Sequence, residues 1–221
     1  MLLAGFVACS GSKDSEESNA VQYLYSVNVE LAADKSNAPS LQSFAHGVEG
    51  SNWLLFAGRT NRLNDDGGLH GIITGDYAAK SFLPLSFNQD IFVYNVDSNT
   101  VQGTSFNDML GTISSYQPTN TKIIAALNDY ATVFRNSNPL VTQDGDFLYL
   151  VGGYGTPLDS TNNSNAYQTF DHVARIHIPS MIHLVKGTGI SKIDWDQIFS
   201  FGRDAKLKST GAEIFMIEDK L

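Results

Sequence analysis

Polar and aromatic side chains follow the two apolar segments that end in glycine, and together they could bind a ligand. The candidate ligand-binding residues are Arg59, Asn61, His70 and Tyr154. Planar hydrogen-bond donors and acceptors beside a stacking ring suit the hydroxyl groups of a sugar. A second interpretation is that Arg59 forms an ion pair with Asp65 or Asp66 and only holds its own loop in place.

Other kinds of chemistry lack the residues that they need. A phosphate-binding loop carries a lysine and leads into a helix, whereas residues 152–155 lack lysine and lead to Pro157. The sequence contains no Gly-x-Ser-x-Gly motif, and its five histidines are scattered. Residues 64–68 lack the later glutamate of an EF-hand, which favours a solvated turn over a calcium site. We therefore predict no catalytic residue, no metal and no cofactor.

The composition is typical of a globular protein built from strands and many turns. Hydrophobic residues make up 42% of the chain and charged residues only 17%, and there are 19 glycines. The net charge is -9, from 23 acidic and 14 basic residues. Because a nucleic-acid site needs a basic face, this charge argues against nucleic acid as a partner.

Cys9 is the single cysteine, so an intrachain disulfide is excluded. It follows a short apolar segment, residues 1–8, and precedes a polar, acidic stretch, residues 10–19. This arrangement resembles the lipobox of bacterial lipoproteins, in which the cysteine is lipidated and becomes the first residue of the mature protein. The alternative interpretation is a free thiol in an unstructured terminus.

The lipoprotein resemblance implies three parts of the chain. Residues 1–9 would be the signal-like segment, residues 10–20 a flexible tether, and residues 21–221 the folded domain. It also implies lipidation of Cys9 and a location in the cell envelope, at the outer membrane or cell surface of a Gram-negative bacterium.

Short β-strands are the elements that must position the candidate residues. Two apolar runs, residues 53–57 and 147–151, each follow a polar turn and end at a glycine. Residues 90–96 and 172–178 have the patterns of further strands. Apolar positions in residues 121–130 fit one face of a short helix, and residues 181–186 predict a helical turn that Gly187 ends.

The order of a glycine-ended strand, a long loop and an aromatic strand resembles the kelch repeat of β-propellers. Residues 152–153 match the glycine pair of that repeat, residues 57–58 match it with one substitution, and Tyr94 matches its third-strand aromatic. The tryptophan that commonly closes the repeat is absent after Asn99. The two glycine endings are 95 residues apart. Because the kelch period is ~50 residues, long insertions between strands are required.

The resemblance implies an all-β, kelch-like β-propeller, incomplete, with two blades, part of a third and short helices in the insertions. Residues 215–217 would be the first strand of the third blade, and the chain would be the N-terminal part of a longer protein. We expect a non-catalytic, envelope-anchored protein that binds glycan or protein through its rim loops. A sugar-processing enzyme of the mutarotase kind and a purely structural envelope component remain open.

Overall fold

Antiparallel strands form two four-stranded sheets in the computed structural model, which describes residues 37–60, 86–157 and 167–218. The first sheet contains, in order, β1 (Ala45–Glu49), β2 (Asn52–Phe56), β3 (Asp90–Asn95) and β4 (Thr100–Ser105). The second contains β5 (Leu140–Asp144), β6 (Phe147–Val151), β9 (His172–His177) and β10 (Phe199–Arg203). A two-stranded ribbon of β7 (Tyr154–Gly155) and β8 (Gln168–Thr169) lies between β6 and β9 in the sequence.

Three short helices connect the strands in the part of the chain that the structure describes. They are α1 (Phe106–Tyr116), α2 (Thr121–Asp129) and α3 (Ile178–Lys186). The side chain of Ser105 accepts a hydrogen bond from the first turn of α1, and Asn120 does the same for α2. Gly187 ends α3 in the left-handed conformation, at a φ of 63°. Single 3₁₀ turns are formed by Ala131–Phe134, Ile190–Lys192 and Ala205–Leu207.

The alternation of side chains along the strands places the hydrophobic core against one face of each sheet. In β9, for example, Ala174 and Ile176 are buried while Arg175 between them is half-buried. Helix α3 follows a strand of the second sheet and packs against all four strands of the first. Ile178 and Met181 carry this contact and are fully buried, so the two sheets share one core.

Glycine occurs where the end of one strand approaches the backbone of the next sheet. The N–H of Gly58 donates to the carbonyl of Asn136 at 2.7 Å, and the N–H of Gly153 donates to Ser209 at 2.8 Å. Gly58 has a φ of +76°, and a Cβ on it would lie 2.6 Å from the carbonyl oxygen of Gln42. Residue 58 therefore has to be glycine for both conformation and space.

A second set of backbone hydrogen bonds joins the segment before each sheet to the corresponding segment of the next repeat. The N–H of Asn138 donates to the carbonyl of Ser43 at 3.0 Å, and the N–H of Gly211 donates to the carbonyl of Asn138 at 3.0 Å. All three residues have a positive φ, and so do the residues seven positions further on. Those residues are Gly50, Gly145 and Glu218. The backbone thus repeats three times, and residues 213–217 take the place of β1 and β5.

The sequence predicts much of this arrangement. A mainly β fold with short helices is confirmed, and so are both glycine-ended strands, each the second strand of its own sheet. The predicted helices appear as α2 and α3. Helix α1 was not predicted as a separate element. Residues 1–36, with Cys9, the tether and the signal-like segment, lie outside the described residues.

The strand predicted at residues 215–217 lies in the third of these repeats, and its pairing stays a prediction. Within the described residues, only Ile217 of this segment has bridge geometry, and Phe215 and Ile217 are 67% and 70% exposed. The segment has the backbone turns of β1 and β5, but no described strand lies beside it as β2 lies beside β1.

Substitution of Gly58 by alanine should destabilise the protein much more than substitution of Gly50. Both glycines have a positive φ, but a Cβ on Gly50 has nothing within 4 Å. Gly50→Ala should therefore cost only the conformational strain of about 1 kcal/mol. Gly58→Ala adds a clash with the backbone of Gln42 and Phe44 and should cost about 3 kcal/mol or more. Urea unfolding measures both, and equal losses would contradict the steric argument.

Candidate functional site

Arg59 follows β2 and joins the neighbouring chain segments at that end of the first sheet. Its backbone forms bridges with Gln42 on one side and Phe87 on the other. Its side chain is only 5% exposed, and Nη2 donates to the Oε1 atom of Gln42 at 3.3 Å. Burial lowers the pKa of Arg59 from its ordinary value. The guanidinium therefore lies beneath the surface, where it supports the segments that meet there.

Tyr154 has the position in the second sheet that Arg59 has in the first. Its backbone pairs with Ser137 on one side and Thr169 on the other, just beyond the end of β6. The ring of Tyr154 stacks on Tyr167, with centroids 5.8 Å apart and an interplanar angle of 14°. Burial, and then the neighbouring Tyr154, raise the pKa of Tyr167. Arg59 and Tyr154 are therefore equivalent in backbone position, and Tyr167 extends the aromatic surface beside Tyr154.

The other two predicted ligand-binding residues, Asn61 and His70, lie outside the described residues. In the ranges 37–60, 86–157 and 167–218, no group of three or more histidine, cysteine, aspartate or glutamate side chains could hold a metal ion. None of the helices described here is long and apolar enough to cross a bilayer.

A pocket of about 270 Å³ lies beside the ribbon of β7 and β8. Gln168, Phe170 and His172 alternate along one edge of it, so their side chains share a face, while Tyr167 and Thr169 belong to the opposite face. The turn after α2 forms the other side of the pocket. The remaining polar residues that line the pocket are Asn128, Asp129, Thr132 and Arg203. The ribbon therefore has stacked tyrosines on one face and a polar pocket on the other.

His172 is the buried centre of this pocket, with 3% of its surface exposed. Its ring stacks on Phe170 at 5.0 Å and meets the edge of Tyr130 at 5.4 Å. Nδ1 lies 3.1 Å from the hydroxyl of Thr132, within hydrogen-bond distance. Nε2 lies 4.0 Å from Oδ1 of Asp171, too far for a hydrogen bond.

The environment of His172 keeps its imidazole neutral at pH 7. Burial lowers the pKa of His172 to about 4, the charge of Arg203 acts in the same direction, and Asp171 opposes them. A neutral imidazole has one donor and one acceptor nitrogen, so it can bond a hydroxyl group in either direction.

Arg203 lies at the mouth of the pocket and is held by three contacts. Nη1 lies 3.7 Å from Oδ1 of Asp171, Nη2 donates to the carbonyl of Asp129 at 3.2 Å, and the guanidinium lies 5.1 Å from the ring centre of Tyr130. With Asp171 beside it, this cation adds little net positive charge. Neutral imidazole, amide, hydroxyl and carbonyl groups together fit an uncharged, hydroxyl-rich ligand better than an anion.

Sequence reasoning missed His172, although the strand pattern contained the information. His172 has the same alternation phase as Ala174 and Ile176, so it belongs to the buried face of β9. His177 has the opposite phase and is half-buried, as expected for the polar face of the strand. A histidine in the inward phase at the end of a strand was the available indication of a site.

No protein-family model matches the sequence, and no curated protein matches it. The arguments for a function therefore come from the residues and geometry described above.

The stability of the protein should fall between pH 7 and pH 5 because of His172. Its pKa is about 4 when folded, against 6.5 for an ordinary histidine, so the unfolded state binds the extra proton in this window. This linkage should cost about 2 kcal/mol at pH 5 relative to pH 7. Denaturant unfolding of wild type and His172→Phe at both pH values measures it. The variant keeps an aromatic ring and should lose about 2 kcal/mol less.

The control for that experiment is His46→Phe, which replaces an exposed histidine on β1. This variant should keep the pH dependence of the wild type. Equal pH dependence in wild type and His172→Phe would contradict a buried, neutral imidazole.

Proposed function

We propose that the chain is part of a kelch-like β-propeller that binds glycan at the end of its sheets where Tyr154 lies. The observation that carries the proposal is the ribbon of β7 and β8, which has a tyrosine stack on one face and the His172 pocket on the other. Aromatic rings on one face of the ribbon and neutral hydrogen-bonding groups on the other provide the two kinds of contact that the surfaces of a sugar need.

The repeated backbone contacts support the propeller architecture. Each four-stranded sheet is a meander whose second strand ends in a glycine that bonds to the chain that follows. The start of each sheet donates to the start of the preceding one, from Asn138 to Ser43 and from Gly211 to Asn138. Repeated contacts of this kind are what we expect between the blades of a propeller, where successive sheets lie around a common axis.

The glycan site is built from residues that follow the strands of successive blades. Tyr154 and Tyr167 provide the stacking surface, while Arg59 holds the equivalent strand end of the first blade from within. Binding requires no reaction at these groups. The protein then acts as a binding or scaffold component and not as a catalyst.

The N-terminal segment anchors this binding domain to the cell envelope. Cys9 is lipidated, residues 10–20 are the tether, and the domain stands on the membrane surface of a Gram-negative bacterium. The support for this part of the proposal is the sequence pattern around Cys9.

Substitution of Tyr154 by alanine should weaken glycan binding about tenfold, because a lost stacking contact is worth about 1.4 kcal/mol. Tyr167→Ala should have a similar effect. A glycan array of the full chain identifies the ligand, and titration with that ligand gives the affinity of each variant.

The control for glycan binding is Tyr116→Ala, which removes a tyrosine that is 55% exposed at the end of α1. It should bind as the wild type does, and thermal unfolding should show that all three variants are folded. Unchanged affinity in Tyr154→Ala and Tyr167→Ala would remove the proposed stacking surface. Failure of the wild type to bind any glycan would remove the proposed function.

Cys9→Ser should abolish the incorporation of lipid. Metabolic labelling with palmitate in a Gram-negative host measures it, since the serine hydroxyl does not replace the thiol that carries the lipid in lipoproteins. Lys13→Ser, a few residues along the tether, is the control and should be labelled as the wild type is. Equal labelling of wild type and Cys9→Ser would show that the anchor is absent.

A further inference from the structure

The structure describes four arginines, and Arg135 is the one among them whose side chain contacts no acceptor, carboxylate or ring. Among the other three, Arg59 donates to Gln42, Arg175 lies 4.6 Å from the ring centre of Phe147, and Arg203 lies 3.7 Å from Asp171. In the described part of the chain, the side chain of Arg135 makes no hydrogen bond, ion pair or ring contact. Its Nε atom is fully buried without an acceptor.

This arrangement is costly unless a ligand completes it. Burial lowers the pKa of Arg135, and no neighbouring carboxylate opposes that shift. A buried N–H donor without an acceptor loses its hydration and gains nothing in return. Arginine stays protonated in proteins, so an anionic ligand is the partner that would compensate the group.

Arg135 lines a cavity of about 150 Å³ at the start of α1, which adjoins the His172 pocket and shares Asn128 and Ala131 with it. Three residues with side-chain amides line the same space, Gln89, Asn107 and Asn128. The rings of Phe106 and Phe134, 5.3 Å apart, form its apolar side. The cavity thus combines one cation, several neutral donors and an apolar wall.

We propose that this cavity binds the carboxylate of a small organic acid, with the planar guanidinium of Arg135 as its main contact. The fork of N–H groups on arginine has the geometry of a carboxylate. Among the described residues that line the cavity, Arg135 is the one with an ionisable side chain. A single negative charge is therefore matched, whereas a dianion such as phosphate would carry an uncompensated charge.

The body of the ligand lies against Phe106 and Phe134, while the amides bond its polar substituents. Two sources of such a carboxylate are a free small acid and a uronic acid unit of a glycan. The site does not depend on the tyrosine stack, so the two proposals can fail separately.

Titrations of the ¹⁵N-labelled full chain, followed by NMR at constant ionic strength, test this inference. The reporters are the Nε–H resonance of Arg135 and the backbone amide of Asn107. Sodium acetate, sodium glucuronate, glucose and inorganic phosphate are the probes. Acetate and glucuronate should give saturable shifts with a Kd of about 1 mM or below, and glucose should give none.

The relative affinities separate the possibilities. Tighter binding of glucuronate than of acetate supports a uronic acid ligand, and equal binding supports recognition of the carboxylate alone. Absence of saturation with both acids, shifts of equal size with glucose, or tighter binding of phosphate than of either acid would overturn the proposal.

Variants assign the effect to Arg135. R135Q should weaken binding of the acid at least tenfold at the Asn107 reporter, and R135K should weaken it less because it keeps the charge but loses the fork. R175Q is the matched control, since Arg175 lies on the second sheet over Phe147, and it should bind as the wild type does. Thermal unfolding confirms that each variant is folded. Unchanged affinity in a folded R135Q would overturn the assignment.

Discussion

The close approach of backbone from one sheet to the strand end of the neighbouring segment is the contact on which this architecture depends. It occurs at Gly58 with Asn136 and again at Gly153 with Ser209. The approach leaves no room for a side chain: a Cβ on Gly152 would lie 1.9 Å from the carbonyl oxygen of Ser209. Glycine here is a condition for joining successive sheets, and it fixes where the chain after each second strand must emerge. The proposed binding surface is built on that exit point.

The same contact explains why residues with different side chains have equivalent positions. Arg59 comes directly after Gly58 and Tyr154 directly after Gly153, and the backbone of each pairs on both sides. The backbone repeat constrains the main chain but leaves the side chain open. In the first sheet this position holds Arg59, whose buried guanidinium donates to Gln42 and so supports the neighbouring segment. In the second sheet it carries a ring that stacks on Tyr167. A repeated scaffold can therefore place support and recognition at corresponding points.

Local patterns in the sequence predicted the strands, because alternation and turn residues act over a few positions. The runs that became β2, β6 and β9 were recognisable for this reason. The site was harder to predict because its residues come from separate segments. Thr132 and His172 are 40 residues apart and meet only when the turn after α2 packs beside β9. Residues 213–217 show the converse: local signals set the turns that this segment shares with β1 and β5, but a ladder also needs a second strand, and no described strand lies beside it.

The polar groups at this end of the sheets are desolvated in different ways, and the difference determines what each can bind. An imidazole can leave the charged state, so burial makes His172 a neutral group with hydrogen-bonding capacity. A guanidinium cannot, so burial leaves Arg135 charged and in need of a counterion. Arg203 is charged but half exposed, and Asp171 lies 3.7 Å from it, so its charge is both hydrated and paired. Neighbouring cavities on one scaffold thus favour different ligands, an uncharged hydroxyl-rich group beside His172 and an anionic group beside Arg135.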